Sequence, residues 1–170
     1  MAVRSTAFLD TNIFVYAFLA SEPRKRAKAV ELIEASLGSG QGCISYQVQQ
    51  EFANVACKKF ATRLNSSDCK AFIDAAMQPL NRIASSAELI HSALELQDEL
   101  KYSFYDCLMI AAALQAGAET LYTEDLQHWQ LVRGALRIVN PFLDVANESQ
   151  ADSGFEITSN AHKKSVCPDP

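Results

Sequence analysis

Nowhere in this chain do apolar residues run on for the roughly 18–20 positions that a membrane-spanning helix needs, so no membrane span is expected. The N-terminal Met1-Ala2-Val3-Arg4-Ser5 leads straight into a short apolar strand without the layout of a signal peptide. The cysteines, Cys43, Cys57, Cys69, Cys107 and Cys167, are odd in number and show neither CxxC nor Cys/His ligand spacing, which argues against a disulfide framework or a structural zinc. Three of them fall on helical apolar positions and read as small hydrophobes. A reducing, cytoplasmic setting is the expectation. No glycine-rich phosphate loop is present, because the glycines at 38, 40 and 42 precede a strand and not a helix. GxSxG and a catalytic Cys/His pair are missing too. His91, His128 and His162 have no ligand spacing and read as ordinary histidines. A surplus of positive charge is also absent. The net charge of −5 and pI near 5.2 exclude a basic nucleic-acid coat, but not a polyanionic substrate met by a metal and local basic clusters.

What the chain does contain is enough apolar material, 49% of 170 residues, for one packed domain without staples. Residues 4–9 read as a buried strand that closes on Asp10. Asn12 is then placed to cap an all-round apolar helix over 13–19. Pro23 suits the first turn of a second helix reaching about residue 36, and 38–42 reads as a loop. A short strand at 43–44 leads to Ser45, expected to cap a third helix that carries Glu51 and runs to about residue 63. A fourth helix opens at Ser67-Asp68 and keeps the 3.6-residue period through Leu80. A brief strand over 81–84, a fifth helix capped by Ser86 and a sixth capped by Ser103, over 104–116, follow. Strands are expected at 119–123 and 136–141. Short strands alternating with helices predict a three-layer α/β/α fold with a short, mainly parallel sheet of about five strands. The domain is read as residues 1–144. Residues 145–170 are polar, aperiodic and proline-terminated, and are expected to be a disordered tail.

In such a fold, sites form beyond the carboxyl ends of the strands. Asp10 and Asp125 follow two strands, while Glu51 and Asp106 sit on helices that are otherwise half-buried. Each has an ordinary explanation: caps or turns for Asp10 and Asp125, a helix-edge ion pair for Glu51, a favourable macrodipole position for Asp106. Acids on apolar ground are rare unless paired or holding a metal, however. Gathered together, these four would repel one another, and a hard divalent cation with oxygen ligands relieves that repulsion. Two basic clusters, Arg24, Lys25 and Arg26 with Lys28, and Lys58 and Lys59 with Arg63, are candidates for phosphate contact or plain solvated helix faces.

Four segments carry a resemblance: Phe8-Leu9-Asp10-Thr11-Asn12, Glu51 within the helix over 45–55, Tyr105-Asp106-Cys107-Leu108-Met109-Ile110-Ala111-Ala112-Ala113, and Leu121-Tyr122-Thr123-Glu124-Asp125. In order and spacing, over about residues 4–142, the chain resembles the PIN-domain ribonucleases, most closely the VapC-like toxins of type II toxin–antitoxin pairs. The resemblance implies a PIN-like fold and a Mg²⁺- or Mn²⁺-dependent endoribonuclease. Asp10, Asp106 and Asp125 would be metal ligands, direct or through water. Glu51 would join them and orient or deprotonate the attacking water. Asn12 and Thr123 would be hydrogen-bonding supports. It also implies a cognate antitoxin and a homodimer, with the apolar first and fourth helices contributing surface as an alternative to filling the core. Two readings compete. One is a non-catalytic RNA- or protein-binding module of the same fold. The other is a Mg²⁺-dependent phosphatase of haloacid dehalogenase type, which wants a second aspartate where this chain has Asn12.

Overall fold

The computed structural model describes residues 6–58 and 64–143. The expected tail and the stretch 59–63, including Lys59 and Arg63, lie outside the described residues. In chain order the elements are β1 (Ala7–Leu9), α1 (Thr11–Tyr16), α2 (Pro23–Ser39), β2 (Gly42–Ser45), α3 (Tyr46–Lys58) and α4 (Ser66–Phe72). A π-helical turn (Ile73–Met77) and a 3₁₀ turn (Gln78–Leu80) prolong α4. Then come β3 (Asn81–Ile83), α5 (Ala87–Leu100), α6 (Phe104–Gln115), β4 (Thr120–Tyr122), β5 (Leu131–Val132) and β6 (Leu136–Val139).

The strands form one six-stranded sheet in the order β3-β2-β1-β4-β6-β5. All pair in parallel except β5, which runs antiparallel to β6 at the edge. That two-residue strand is the sixth, beyond the five expected. It is too short to show an alternating pattern, and its hairpin turns through Arg133 and Gly134, both at positive φ. The three-layer expectation otherwise holds.

Strand order decides where a site can form. The chain leaves β1 toward β2 and β3 on one side, then returns to β4 on the other. The carboxyl ends of β1 and β4 therefore flank a topological switch point, where α/β sheets open a crevice. Register brings Leu9 opposite Tyr122, so the residues after them, Asp10 and Thr123, emerge side by side. Around the sheet, Phe8, Leu9, Ile44, Leu121 and Ile138 are fully enclosed, and α6 packs Ile110, Ala112 and Ala113 beneath them. Such two-sided burial is why these strands read as continuous apolar runs. The rings of Phe18, Phe52 and Phe72 meet at 4.7–5.8 Å, tying the segment after α1 to α3 and α4.

Several boundaries differ from the sequence reading. Asp10, not Asn12, caps α1: its extended backbone and a bond from the Thr11 N–H to Oδ1 make it the N-cap, and Asn12 lies in the first turn. The helix ends at Tyr16, with residues 17–18 continuing as a turn. Helix α2 runs through Gly38 to Ser39 and stops at Gly40, whose φ of 64° gives the left-handed cap. Gly42 belongs to β2, and it is glycine there because a side chain would run into Ser36 of α2. Ser45 is the last residue of β2, and its hydroxyl finds no partner, so it does not cap α3. Helix α4 opens one residue earlier than expected, with Asn65 as the cap. Ser86 and Ser103 cap α5 and α6 as expected.

Candidate active site

Asp10 divides its two oxygens between structure and site. Oδ1 accepts the Thr11 N–H at 2.5 Å and starts α1. Oδ2 accepts the Thr123 hydroxyl at 2.7 Å and the Asn12 side-chain amide at 2.9 Å. Thr123 is completely enclosed, and its oxygen also accepts the Asp125 N–H at 3.2 Å, which anchors the loop after β4. Asn12 reaches on to Asp125 Oδ2 at 3.3 Å. Both residues expected as hydrogen-bonding supports thus bind Asp10, and Asn12 joins it to Asp125.

The helix-borne acids approach from the other side. Glu51 accepts the Thr11 hydroxyl at 2.7 Å on Oε2 and the Gln47 side-chain amide at 2.7 Å on Oε1. Gln47 stands one turn earlier on α3, the i,i+4 spacing at which side chains meet. Asp106 accepts the Ser103 hydroxyl at 2.6 Å in the first turn of α6. Gln47 also points its amide toward the Tyr105 carbonyl at 3.5 Å, drawing α3 to the start of α6. Thr11 and Gln47 were missed in the sequence. The Gln47/Glu51 spacing was a usable signal, whereas Thr11 had none beyond its neighbour Asp10.

Electrostatics shows that the four acids share one region. Asp10 is 5% exposed, and burial pushes its carboxyl from 3.8 to about 7. The bonds from Thr123 and Thr11 oppose that rise, and the charges of Asp125 and Glu51 add to it. The Asp125 carboxyl is also raised, first by burial, with Asn12 opposing and Glu124, Asp106 and Glu51 adding repulsion. No lysine or arginine among the described residues forms an ion pair with Asp10, Glu51, Asp106 or Asp125. Two amide oxygens beside these acids, Asn12 Oδ1 and Gln47 Oε1, are buried without a partner. The donor set is therefore all oxygen and rich in negative charge, the chemistry a hard divalent cation selects. As placed, no group of three or more His, Cys, Asp or Glu among the described residues is arranged to hold a metal ion by itself. Magnesium commonly uses one or two carboxylates and keeps several waters, and this arrangement fits that mode.

A family model described as PIN domain matches residues 7–134. The chain belongs to the PIN-domain family. Solved structures agree at the level of fold. A toxin–antitoxin complex from Klebsiella pneumoniae has 23% identity and a TM-score of 0.58, covering 80% of this chain and 98% of that one. VapBC2 from Rickettsia felis, bound to a DNA fragment from its promoter, has 23% identity and a TM-score of 0.55, covering 79% and 99%. VapC20 from Mycobacterium tuberculosis, a toxin that cleaves the sarcin–ricin loop, has 19% identity and a TM-score of 0.52, covering 71% and 92%. No curated protein matches by sequence.

The basic residues divide. Lys25 is engaged with the Tyr16 hydroxyl at 2.8 Å and, at 2.9 Å, with Glu124, one residue from Asp125. Arg26 donates to the Ala17 carbonyl at 3.1 Å, and Lys28 pairs with Glu31. Lys58 ends α3 exposed. Of the histidines, His91 is exposed, His128 accepts the Asn140 N–H through Nδ1, and His162 lies outside the described residues. Among the described residues no helix is long and apolar enough to cross a membrane.

Proposed function

We propose that this PIN-domain protein is a divalent-metal-dependent endoribonuclease, the toxin of a toxin–antitoxin pair. The observation that carries the reading is the crowding of acids around Asp10 at the sheet's switch point, none of them paired with a lysine or arginine among the described residues, in a chain of this family. Asp10, Asp106 and Asp125 would hold the ion directly or through water, and Glu51 would orient or deprotonate the attacking water. When bound, Mg²⁺ or Mn²⁺ supplies Lewis-acid activation of water and offsets charge on the leaving oxygen. The chain's own contribution is placement. Thr123 and Asn12 fix the Asp10 carboxylate from two directions, and Gln47 and Thr11 hold both Glu51 oxygens. Supports of this kind set ligand orientation and basicity. In-line attack by the water would leave a 5′-phosphate and a 3′-hydroxyl.

Incubating the purified chain with total RNA, with and without Mg²⁺ and Mn²⁺, tests this directly. Cleavage only with metal is expected; intact RNA under all conditions would overturn the reading. A second reading, a PIN-like module that binds without cutting, draws on the lack of a tight three-ligand group among the described residues and expects metal-independent binding. An antitoxin partner is supported by the toxin–antitoxin complexes among the similar structures. A small reading frame beside the gene, and light scattering of the purified chain for the proposed homodimer, test the assembly.

A further inference from the structure

A second feature shares Gln47 with the acids. At the carboxyl ends of β2 and β3, a cleft of about 90 Å³ is walled by Ile83, Leu89, Ile90 and Leu108, with Ser45, Gln47, Ser85 and Ser86 among its polar lining. That is several times the roughly 10–15 Å³ a single water requires. Ser45 is only 2% exposed, yet its hydroxyl has no hydrogen-bond partner. Gln47 commits its amide nitrogen to Glu51 and leaves its carbonyl oxygen buried and unpaired. The nearby Ser86 hydroxyl is already used, accepting the Leu89 N–H at the start of α5. Buried polar atoms are normally satisfied by protein or by ordered water, so two without a protein partner beside one cleft mark a place where a guest can replace water.

We propose that this cleft is a nucleobase subsite that selects one nucleotide next to the cut, a proposal that rests on the RNA-cleaving reading above. Its apolar walls and the absence of lysine or arginine among the described residues of its lining suit a flat uncharged ring and not a phosphate. Tyr46, 47% exposed, and Ile90, 45% exposed, border it on the solvent side. An amide oxygen can only accept, while a serine hydroxyl can donate or accept. The guest must therefore present an N–H donor edge to Gln47, with Ser45 completing the pair. Single-stranded RNA is read in this way, by splayed bases hydrogen-bonded along their edges. Because Gln47 touches Glu51, a base seated here belongs to a nucleotide adjoining the reacting phosphate.

The test uses the full chain with Mn²⁺ and an RNA pool whose single-stranded segment is randomised, sequencing the new 5′ ends. The wild type is expected to favour particular bases at one position beside the cut. Ser45→Ala should reduce that bias about tenfold, the effect of one buried hydrogen bond, and Ile90→Phe, which narrows the mouth, should abolish it. The readout is the ratio between bases, which a general loss of activity leaves unmoved. A bias unchanged in both variants, or unbiased cutting by the wild type, overturns the subsite. Should Ser45→Ala not fold, Ile90→Phe at its exposed position decides alone. If the wild type cuts no RNA, the four uncharged ribonucleosides are titrated in EDTA while the amide resonances of Ser45, Ile90 and Leu108 are followed. Base-dependent shifts there would keep the subsite and sink only the nuclease. No shifts, or equal shifts from all four, would sink the subsite as well.

Discussion

Glu124 and Asp125 are neighbours in the chain with opposite fates. Glu124 meets Lys25 at 2.9 Å and the Tyr16 hydroxyl at 2.6 Å. Lys25 in turn lies 4.4 Å from the centre of the Tyr16 ring. Asp125 turns the other way, toward Asn12, and feels the charges of Glu124, Asp106 and Glu51. One carboxylate is neutralised by its surroundings, whereas the next is left among acids. The fold had a lysine within reach of this region and used it on Glu124, so the charge around Asp10 is not explained by a shortage of bases. A buried carboxylate kept among unpaired like charges costs stability, and acids in that condition make a candidate functional site.

The largest expected effect falls on the unpaired side. Asp10→Asn should lower metal-dependent RNA cleavage by at least about a thousandfold, beyond the 10–100-fold typical of an outer-shell support. Asparagine caps helices as well as aspartate does, so circular dichroism should show the fold retained. Glu124→Gln, one residue from Asp125, should leave far more activity. Equal losses in the two variants would erase the contrast between the neutralised and the unneutralised acids.

Next comes the pH dependence of the metal-free chain. The folded Asp10 carboxyl titrates near 7, against 3.8 for an ordinary aspartate. A raised pKa means that the native state binds the proton more tightly, so its stabilising contribution is complete below about pH 4. It then falls away as pH climbs toward 7. The shift corresponds to roughly 4 kcal/mol at most, at 1.36 kcal/mol per pH unit. In EDTA, denaturant midpoints should drop between pH 5 and pH 8 for the wild type and much less for Asp10→Asn. A wild-type profile as flat as the variant's would mean that Asp10 is not held against its own charge.

How much of this was legible beforehand depends on whether a residue's partners are local or distant. Asp10, Asp125 and Thr123 stand beside strands whose apolar runs mark them, and Asp106 follows a serine cap three residues earlier, so positions and element types could be read. Asp10's double duty could not. The sequence offered Asn12 as an equally good cap, and only the pairing of β1 with β4 brings Thr123 onto the second oxygen. Lys25 illustrates the same limit, since a run of basic residues looks like a solvated or phosphate-binding face until Glu124, 99 positions away, is seen against it. The π-helical turn after Phe72 was equally hidden, because its apolar residues keep a helical period whichever carbonyl the backbone chooses.

Thr123→Val offers a finer test of the unpaired side. Valine keeps the shape in a fully enclosed position but removes the hydroxyl that donates to Asp10 and accepts from the Asp125 N–H. Losing a support of this kind should cost about 10–100-fold in metal affinity or activity. Because the Thr123 bond holds the Asp10 carboxyl down, its loss should also raise the metal concentration needed for half-maximal rate. A fall in rate with that concentration unchanged would place Thr123 outside the chain of contacts that prepares Asp10.

The smallest effect is expected where charge is already balanced. Lys25→Met should cost about 1 kcal/mol, the scale of a partly exposed ion pair, because the Lys25 and Glu124 side chains are 24% and 23% exposed. In combination with Glu124→Gln the losses should be less than additive, since either change alone already breaks the pair. The same variant decides between two roles for the basic cluster. A lysine that contacts phosphate reduces the salt dependence of RNA affinity by about one unit of slope when removed. A lysine spent on Glu124 leaves the slope unchanged, and the unchanged slope is the expected result. Should the slope fall, Lys25 would have to exchange Glu124 for the RNA backbone when substrate binds. Glu124 would then be left unneutralised beside Asp125, and the two adjacent carboxylates would differ only until RNA arrives.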